Sequence, residues 1–370
     1  MKAALKLCFL SHLMATAVLL PAQEPPPRPV YRVDLSKLVS QELNINPAGT
    51  LAFLTQDTLA VSICRNTRCY LESLHLGAGK PRSTGRITTD GFHAVVDLFR
   101  APDSRVIASN GITGVERNAV VLDSRLREVA QIPNATGIRP SCISTTGETF
   151  VNQTKNRWVA YKMDHPLQRI LEGAGLVLSV SDHGVAYLDE GAVHIEGLDG
   201  APLGSFATAV PRSLTFGSIA ITPKVVPTLR FLGRDRLWSE SGSDVQILDF
   251  NGKIIQTLDK PDGWGFRIGQ SSDGGRILYD RHTRHIPLAQ RIKEEEIAKM
   301  GVGADEEPNG EMVLVIDTKT GKKCFEWSSQ TNLLVVSQYH ADIDPSGRLV
   351  AIMTPTTLSI YKLPEVCGFN

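Results

Sequence analysis

The chain has 370 residues, with 39 lysine and arginine side chains against 39 aspartate and glutamate. At 42% hydrophobic and 21% charged, it is too apolar and too evenly charged to be a disordered chain. Without a basic excess to neutralise phosphates, it does not read as an electrostatic nucleic-acid binder.

Met1–Lys6 is a short basic start carrying Lys2 and Lys6, Leu7–Leu20 is mostly apolar, and Pro21-Ala22-Gln23 follows. That order is the basic region, apolar region and small-residue cleavage site of a secretory signal, with cleavage expected after Ala22. The apolar run of about 14 residues is shorter than the roughly 20 that cross a bilayer. Residues 1–22 are therefore assigned as a signal peptide and 23–29 as a Pro-rich linker. No later stretch is long and apolar enough to span, so a secreted or periplasmic protein is expected, with no membrane span in the mature chain.

Residues 30–370 then read as one domain built of repeats. A first phrase is a small or Pro residue, Asp or a similar residue, Gly, a polar residue and an apolar run. Its clear copies are Asn46–Leu54 (NPAGTLAFL), Ser271–Asp280 (SSDGGRILYD) and Asp344–Ile352 (DPSGRLVAI). Looser copies begin at Ala101, Ser144, Ser181 and Leu232. Gly and Asp supply a tight turn, and the apolar run supplies a strand. Asp103, Asp273 and Asp344 in these turns read as groups that bond their own backbone.

A second phrase follows each copy: an apolar run, Asp, a short polar turn and a second apolar run. Val120–Ile132, Val245–Leu258 and Val313–Trp327 show it best, and Trp158–Leu171 and Val193–Phe206 fit it more loosely. Each is a hairpin signal. The two phrases together describe a four-stranded antiparallel unit of roughly 50 residues, near the blade length of a β-propeller. The expected fold is all-β, a propeller of seven four-stranded antiparallel blades. A spare strand-like segment at 30–39 is expected to complete the last blade and remove a free sheet edge.

The Asp/Asn-Pro-x-Gly-x-apolar phrase and the VIDTKTGK phrase resemble the WD-repeat-like and TolB-like secreted propellers of bacteria. The resemblance covers most of the chain beyond the leader. It implies a fold and no particular activity, since such propellers serve as binding platforms, as enzymes and as domains attached to enzymes.

Beyond the leader lie Cys64, Cys69, Cys142, Cys324 and Cys367. Export makes disulfides possible. Cys64 and Cys69 flank RNTR, a short turn that would set two sulfurs across a hairpin. Cys324 and Cys367 are a second possible pair, pinning the C-terminal tail, which leaves Cys142 as a buried thiol. A zinc site lacks the second Cys or His pair that its spacing requires.

One segment breaks the repeat. Arg281–Glu311, in the sixth unit, reads as an insertion with a short helix, Pro287 suiting its start and Gly301 its stop. By analogy it emerges on the face that propellers commonly use for binding. The candidate partner contacts are His282, His285, Arg291, Glu294 and Glu295 in the insertion, together with Trp264 in PDGWGF. Trp158, Trp238 and Trp327 lie within expected strands and read as core. No metal or cofactor is expected, because the nucleophile-elbow, phosphate-loop, zinc and calcium signatures are missing. The functional expectation is a non-catalytic platform for a protein or an extracellular or envelope polymer, monomeric by default. The alternative is an extracytoplasmic glycan-active hydrolase or lyase with its site at the channel mouth.

Overall fold

The computed structural model describes residues 27–35, 48–65, 68–77, 80–90, 95–110, 119–132, 140–154, 156–164, 167–207, 214–216, 219–221, 228–241, 244–259, 264–283, 310–330, 340–354 and 357–368. These form antiparallel strands and a single 3-10 turn at Pro140–Cys142. The first strand, β1 (Tyr31–Asp34), leaves the start of the chain and joins its end.

The blades follow in chain order. Blade one is β2 (Ala48–Phe53), β3 (Thr58–Arg65), β4 (Arg68–His75) and β5 (Arg82–Asp90), and blade two is β6 (Val95–Ala101), β7 (Arg105–Asn110), β8 (Ala119–Leu122) and β9 (Glu128–Ile132). Blade three holds β10 (Thr149–Thr154), β11 (Arg157–Lys162) and β12 (Gln168–Ala174), its innermost strand reduced to a bridge between Ile143 and Phe150. Blade four is β13 (Leu176–Val180), β14 (Gly184–Asp189), β15 (Ala192–Gly197) and β16 (Pro202–Ala207). A small hairpin, β17 (Leu214–Phe216) and β18 (Ile219–Ile221), precedes blade five, which is β19 (Thr228–Leu232), β20 (Arg236–Ser241), β21 (Asp244–Leu248) and β22 (Ile254–Asp259). Blade six is β23 (Trp264–Gln270), β24 (Arg276–Thr283), β25 (Gly310–Asp317) and β26 (Lys323–Gln330). Blade seven is β27 (His340–Ile343), β28 (Leu349–Met353) and β29 (Thr357–Lys362), with β1 as its outermost strand, Tyr31 opposite Ile360.

The seven-bladed all-β propeller expected from the repeats is the fold observed. Alternation of side chains along each strand explains why the blades stack. On β24, Ile277 and Tyr279 pack with Leu232, Trp238 and Val245 of blade five, while Leu278 packs with Val350 and Ile352 of blade seven. On β3, Leu59, Val61 and Ile63 meet blade seven and Ala60 meets blade two. Seven buried apolar clusters result, one at each junction between successive blades, including the junction between blades seven and one. Both faces of a blade are therefore core, and the ring closes through β1.

Aspartates hold the turns. In the hairpins between third and fourth strands, Asp123 Oδ1 accepts from the backbone N–H of Arg125 and Arg127 at 2.9 Å each, Asp249 Oδ1 from Asn251 and Lys253 at 2.9 Å each, and Asp317 Oδ1 from Lys319 and Thr320 at 3.0 and 2.8 Å. These are the aspartates of the second repeated phrase, each satisfying turn donors that no strand can reach.

Some expectations shift in detail. The first copy of the turn phrase, Asn46–Leu54, leads into an innermost strand, β2, whereas the other six copies lead into second strands. Arg281 and His282 belong to β24 and Gly310 and Glu311 to β25, so the strands extend into the 281–311 span and the connection between them is 284–309. The expected helix, and with it His285, Arg291, Glu294 and Glu295, lies outside the described residues, as does the leader 1–22. Among the described residues no helix is long and apolar enough to cross a membrane.

Candidate functional site

In a propeller the innermost strands expose one unpaired backbone edge to the central channel, and buried edge groups require partners. Here neighbouring blades supply them with side chains. Phe53 N–H donates to Asp342 Oδ2 at 2.8 Å, and Arg100 Nε donates to Phe53 O at 2.7 Å, which links blades seven, one and two. Phe231 N–H donates to Ser179 Oγ at 2.9 Å, linking blades five and four, and Ala341 N–H donates to Asp280 Oδ2 at 3.2 Å, linking blades seven and six. Gln270 Nε2 donates to Phe231 O and to Thr145 Oγ1, both at 2.8 Å, and so ties blade six to blades five and three.

Of these groups, Arg100, Thr145, Ser179, Phe231, Gln270 and Asp342 line a cavity of about 110 Å³ that draws its walls from all seven blades. Its polar wall includes Arg100, Arg230, Gln270 and Asp342, and its apolar wall includes Phe99 and Trp238. The lining residues sit where the innermost strands run into their first turns, which places the cavity at the end of the channel beside those turns. Burial pushes the Arg100 guanidinium below its usual range, while Asp342, Asp344 and Asp182 favour its charge. Arg100 Nη1 and Gln270 Oε1 are buried with no hydrogen-bond partner among the described residues.

The carboxylates nearby are engaged in the fold. Asp344, fully buried, accepts from the backbone N–H of Ser346, Arg348 and Leu349 and from the Ser346 hydroxyl. Asp182 Oδ1 accepts from Thr146 Oγ1 at 2.8 Å. Among the described residues no group of three His, Cys, Asp or Glu side chains is placed to hold a metal ion.

Of the sequence candidates, Trp264 and His282 are brought together in backbone register, Trp264 opposite His282 and His282 opposite Glu311 across β23, β24 and β25; their side chains lie outside the described residues. Cys64 and Cys69 are likewise opposite one another across the β3–β4 hairpin, with side chains outside the described residues. Cys324 and Cys367 form a disulfide that ties the C-terminal tail to β26, and Cys142 is buried and outside any disulfide. Trp158 and Trp238 are buried; Trp158 Nε1 donates to Ala174 O at 3.0 Å and Trp238 Nε1 to Tyr279 Oη at 3.2 Å. Arg100, Arg230, Gln270 and Asp342 were not reached by motif reasoning. Their signal is faint: a polar residue in an innermost strand shortly before the recurrent turn, as in Arg100, Ser179 and Gln270, each three residues before the turn Asp.

No protein-family model matches the chain, and no curated protein matches it in sequence. Solved structures do. KlHsv2 with loop 6CD replaced by a Gly-Ser linker, from Kluyveromyces lactis, aligns over 87% of this chain and 99% of its own, with a TM-score of 0.51 and 11% identity. Kluyvelomyces marxianus Hsv2 aligns over 84% of this chain and 90% of its own, with a TM-score of 0.50 and 12% identity. At such identity the likeness shows the propeller fold alone.

Proposed function

We propose that the protein is an extracytoplasmic, non-catalytic binding platform for a protein or an envelope polymer. The observation that carries this reading is the asymmetry of the ring's two faces. First and third connections in the blades are mostly tight turns closed by Asp or Ser, as at 271–275, 317–322 and 344–348. The opposite face roots the blade-to-blade links and the second-to-third-strand links. It carries 208–227, with the hairpin β17–β18, and 284–309, the longest second-to-third-strand link of the seven blades. Long connections on a rigid scaffold are where recognition concentrates. The alternating basic and acidic composition of Arg281–Glu311 suits a polar partner surface. The Cys324–Cys367 disulfide supports an oxidising compartment.

The test is affinity capture from envelope and culture fractions, with the mature protein and a variant in which Pro287–Asn309 is replaced by a short Gly/Ser turn. A partner retained by the first and lost by the second, with both folded, is the expected result. Release of reducing ends from envelope glycans by the purified protein, with no partner captured, would instead favour the hydrolase alternative. Fractionation of the producing cell and sequencing of the mature N-terminus test the compartment, with a start after Ala22 expected.

A further inference from the structure

The outermost strand of each blade is an open sheet edge, and such an edge templates another strand unless charge or proline blunts it. Most are blunted here: Arg86 stands in β5, Arg169 and Glu172 in β12, Pro202 in β16 and Glu326 in β26. β9 opens on Glu128 and exposes one large apolar residue, Val129. β22 differs. It ends the strand order of its sheet, its one charged residue is its last, Asp259, and Ile254 and Ile255 are 50% and 54% exposed. A bulge explains why two successive residues are both exposed: Ile247 is opposite Gln256 and Leu248 opposite Ile254, so Ile255 is the extra residue. Bulges at the same place recur in blades one, two, four and six, so this one is no special closure of the β22 edge.

The sequence of this strand is complementary to itself when run antiparallel. With Gln256 opposite Gln256 of a second copy, Ile254 falls opposite Leu258, Ile255 opposite Thr257 and Lys253 opposite Asp259. The central amides each offer a donor and an acceptor. A two-fold axis repeats every contact, so a residue of each sign meets at both ends of the seam. Within its own blade Asp259 is opposite Asp244, a like charge, so a lysine is the complementary neighbour on its open side. We propose that the edge of β22 is a self-association surface, where two copies of the chain join their fifth blades by antiparallel pairing of Lys253–Asp259. A seam of one strand from each chain is smaller than a standard interface, so the dimer is weak and forms with rising concentration. The inference uses neither the 284–309 connection nor the compartment, and it stands or falls apart from the platform reading.

Sedimentation velocity of the mature protein, over a concentration series into the millimolar range, tests it. A monomer–dimer equilibrium is expected for wild type. Ile255→Lys, which puts a charge on the edge at both symmetric positions, is expected to weaken association about tenfold. Lys253→Glu is expected to weaken it about fivefold, by turning two attractive pairs into repulsive ones. Combining Lys253→Glu with Asp259→Lys in one chain is expected to restore it, since the exchanged charges again meet their opposites. Thermal melts verify folding, and either the Ile255 variant or the charge exchange suffices if the other does not fold. A wild type that stays monomeric throughout the series would overturn the proposal and leave the edge to a strand from a different protein. A dimer that withstands Ile255→Lys would place the contact elsewhere and also overturn it. So would a charge exchange that fails to restore association, because the antiparallel register requires the rescue.

Discussion

Asp57, Asp123 and Asp273 show how single residues couple this fold to pH. Their carboxyls are all held below the usual carboxylate range. For Asp57 the main cause is the hydrogen bond from Thr55; for Asp123 and Asp273 burial acts in the opposite direction, and hydrogen bonds from their own turns outweigh it. A depressed carboxylate contributes stability above its unfolded value, near pH 4, and that contribution is lost as pH falls through the lower folded value. The melting temperature is therefore expected to drop below about pH 4. Asp273→Asn is expected to be less stable than wild type at pH 7 and to show a smaller drop on acidification, checked by calorimetry across pH. An unchanged pH profile in that variant would remove Asp273 from this account. The turn aspartates were legible in the sequence because the chemistry is local: Asp, then donors two to four residues on. The channel residues were not. Arg100 finds Phe53, and Gln270 finds Thr145, only after the ring brings distant blades together.

At the scale of elements, the hairpins of the second phrase fall on third and fourth strands in blades two to six, because a polar turn between two apolar runs specifies its pairing locally. Assigning a strand's place in its blade is harder. Asn46–Leu54 has the same phrase as Asp344–Ile352, yet β2 lines the channel while β28 lies one strand out. In blade one the first turn falls at Asp57, bonded by the Thr55 and Thr58 hydroxyls, so a different set of residues closes it. Blade three departs for a related reason: its innermost position is taken by Pro140–Cys142 and a single bridge, and proline lacks a ladder donor. The C-terminal tail is fixed twice. Arg276 Nη2 donates to Pro364 O at 2.5 Å and Nη1 to Gly347 O at 2.6 Å, and the Cys324–Cys367 disulfide closes a separation of 43 residues. Cross-linking a loop of that length stabilises by up to about 4 kcal/mol in the chain-entropy model. Replacing both cysteines by serine is expected to lower the urea midpoint. Arg276→Ala is expected to cost about 1 kcal/mol, chiefly through the part-buried carbonyl of Gly347, since the Pro364 carbonyl is exposed to water. A midpoint unmoved by either change would show that the tail does not hold blades six and seven together.

For the whole molecule, the buried apolar clusters and the long connections occupy different parts of the ring. Seven apolar clusters, each shared by two blades, make the body cooperative, and β1 alongside β29 joins its two ends. Side chains such as Asp342 and Arg100 complete the inner edge, so the channel groups serve the scaffold first. What distinguishes this propeller from its own repeat is the length of the connections on one face, above all 284–309. The repeat made the fold legible from sequence; the absence of any repeated counterpart to Arg281–Glu311 is why its chemistry was read only as composition. The decisive measurement is the affinity of the captured partner for wild type and for the Pro287–Asn309 replacement, by biolayer interferometry, with melting temperature and disulfide state recorded for both. Loss of binding in a variant that melts like wild type and keeps the Cys324–Cys367 bond is expected. Equal affinity in the two proteins would contradict a platform that recognises its partner through this connection.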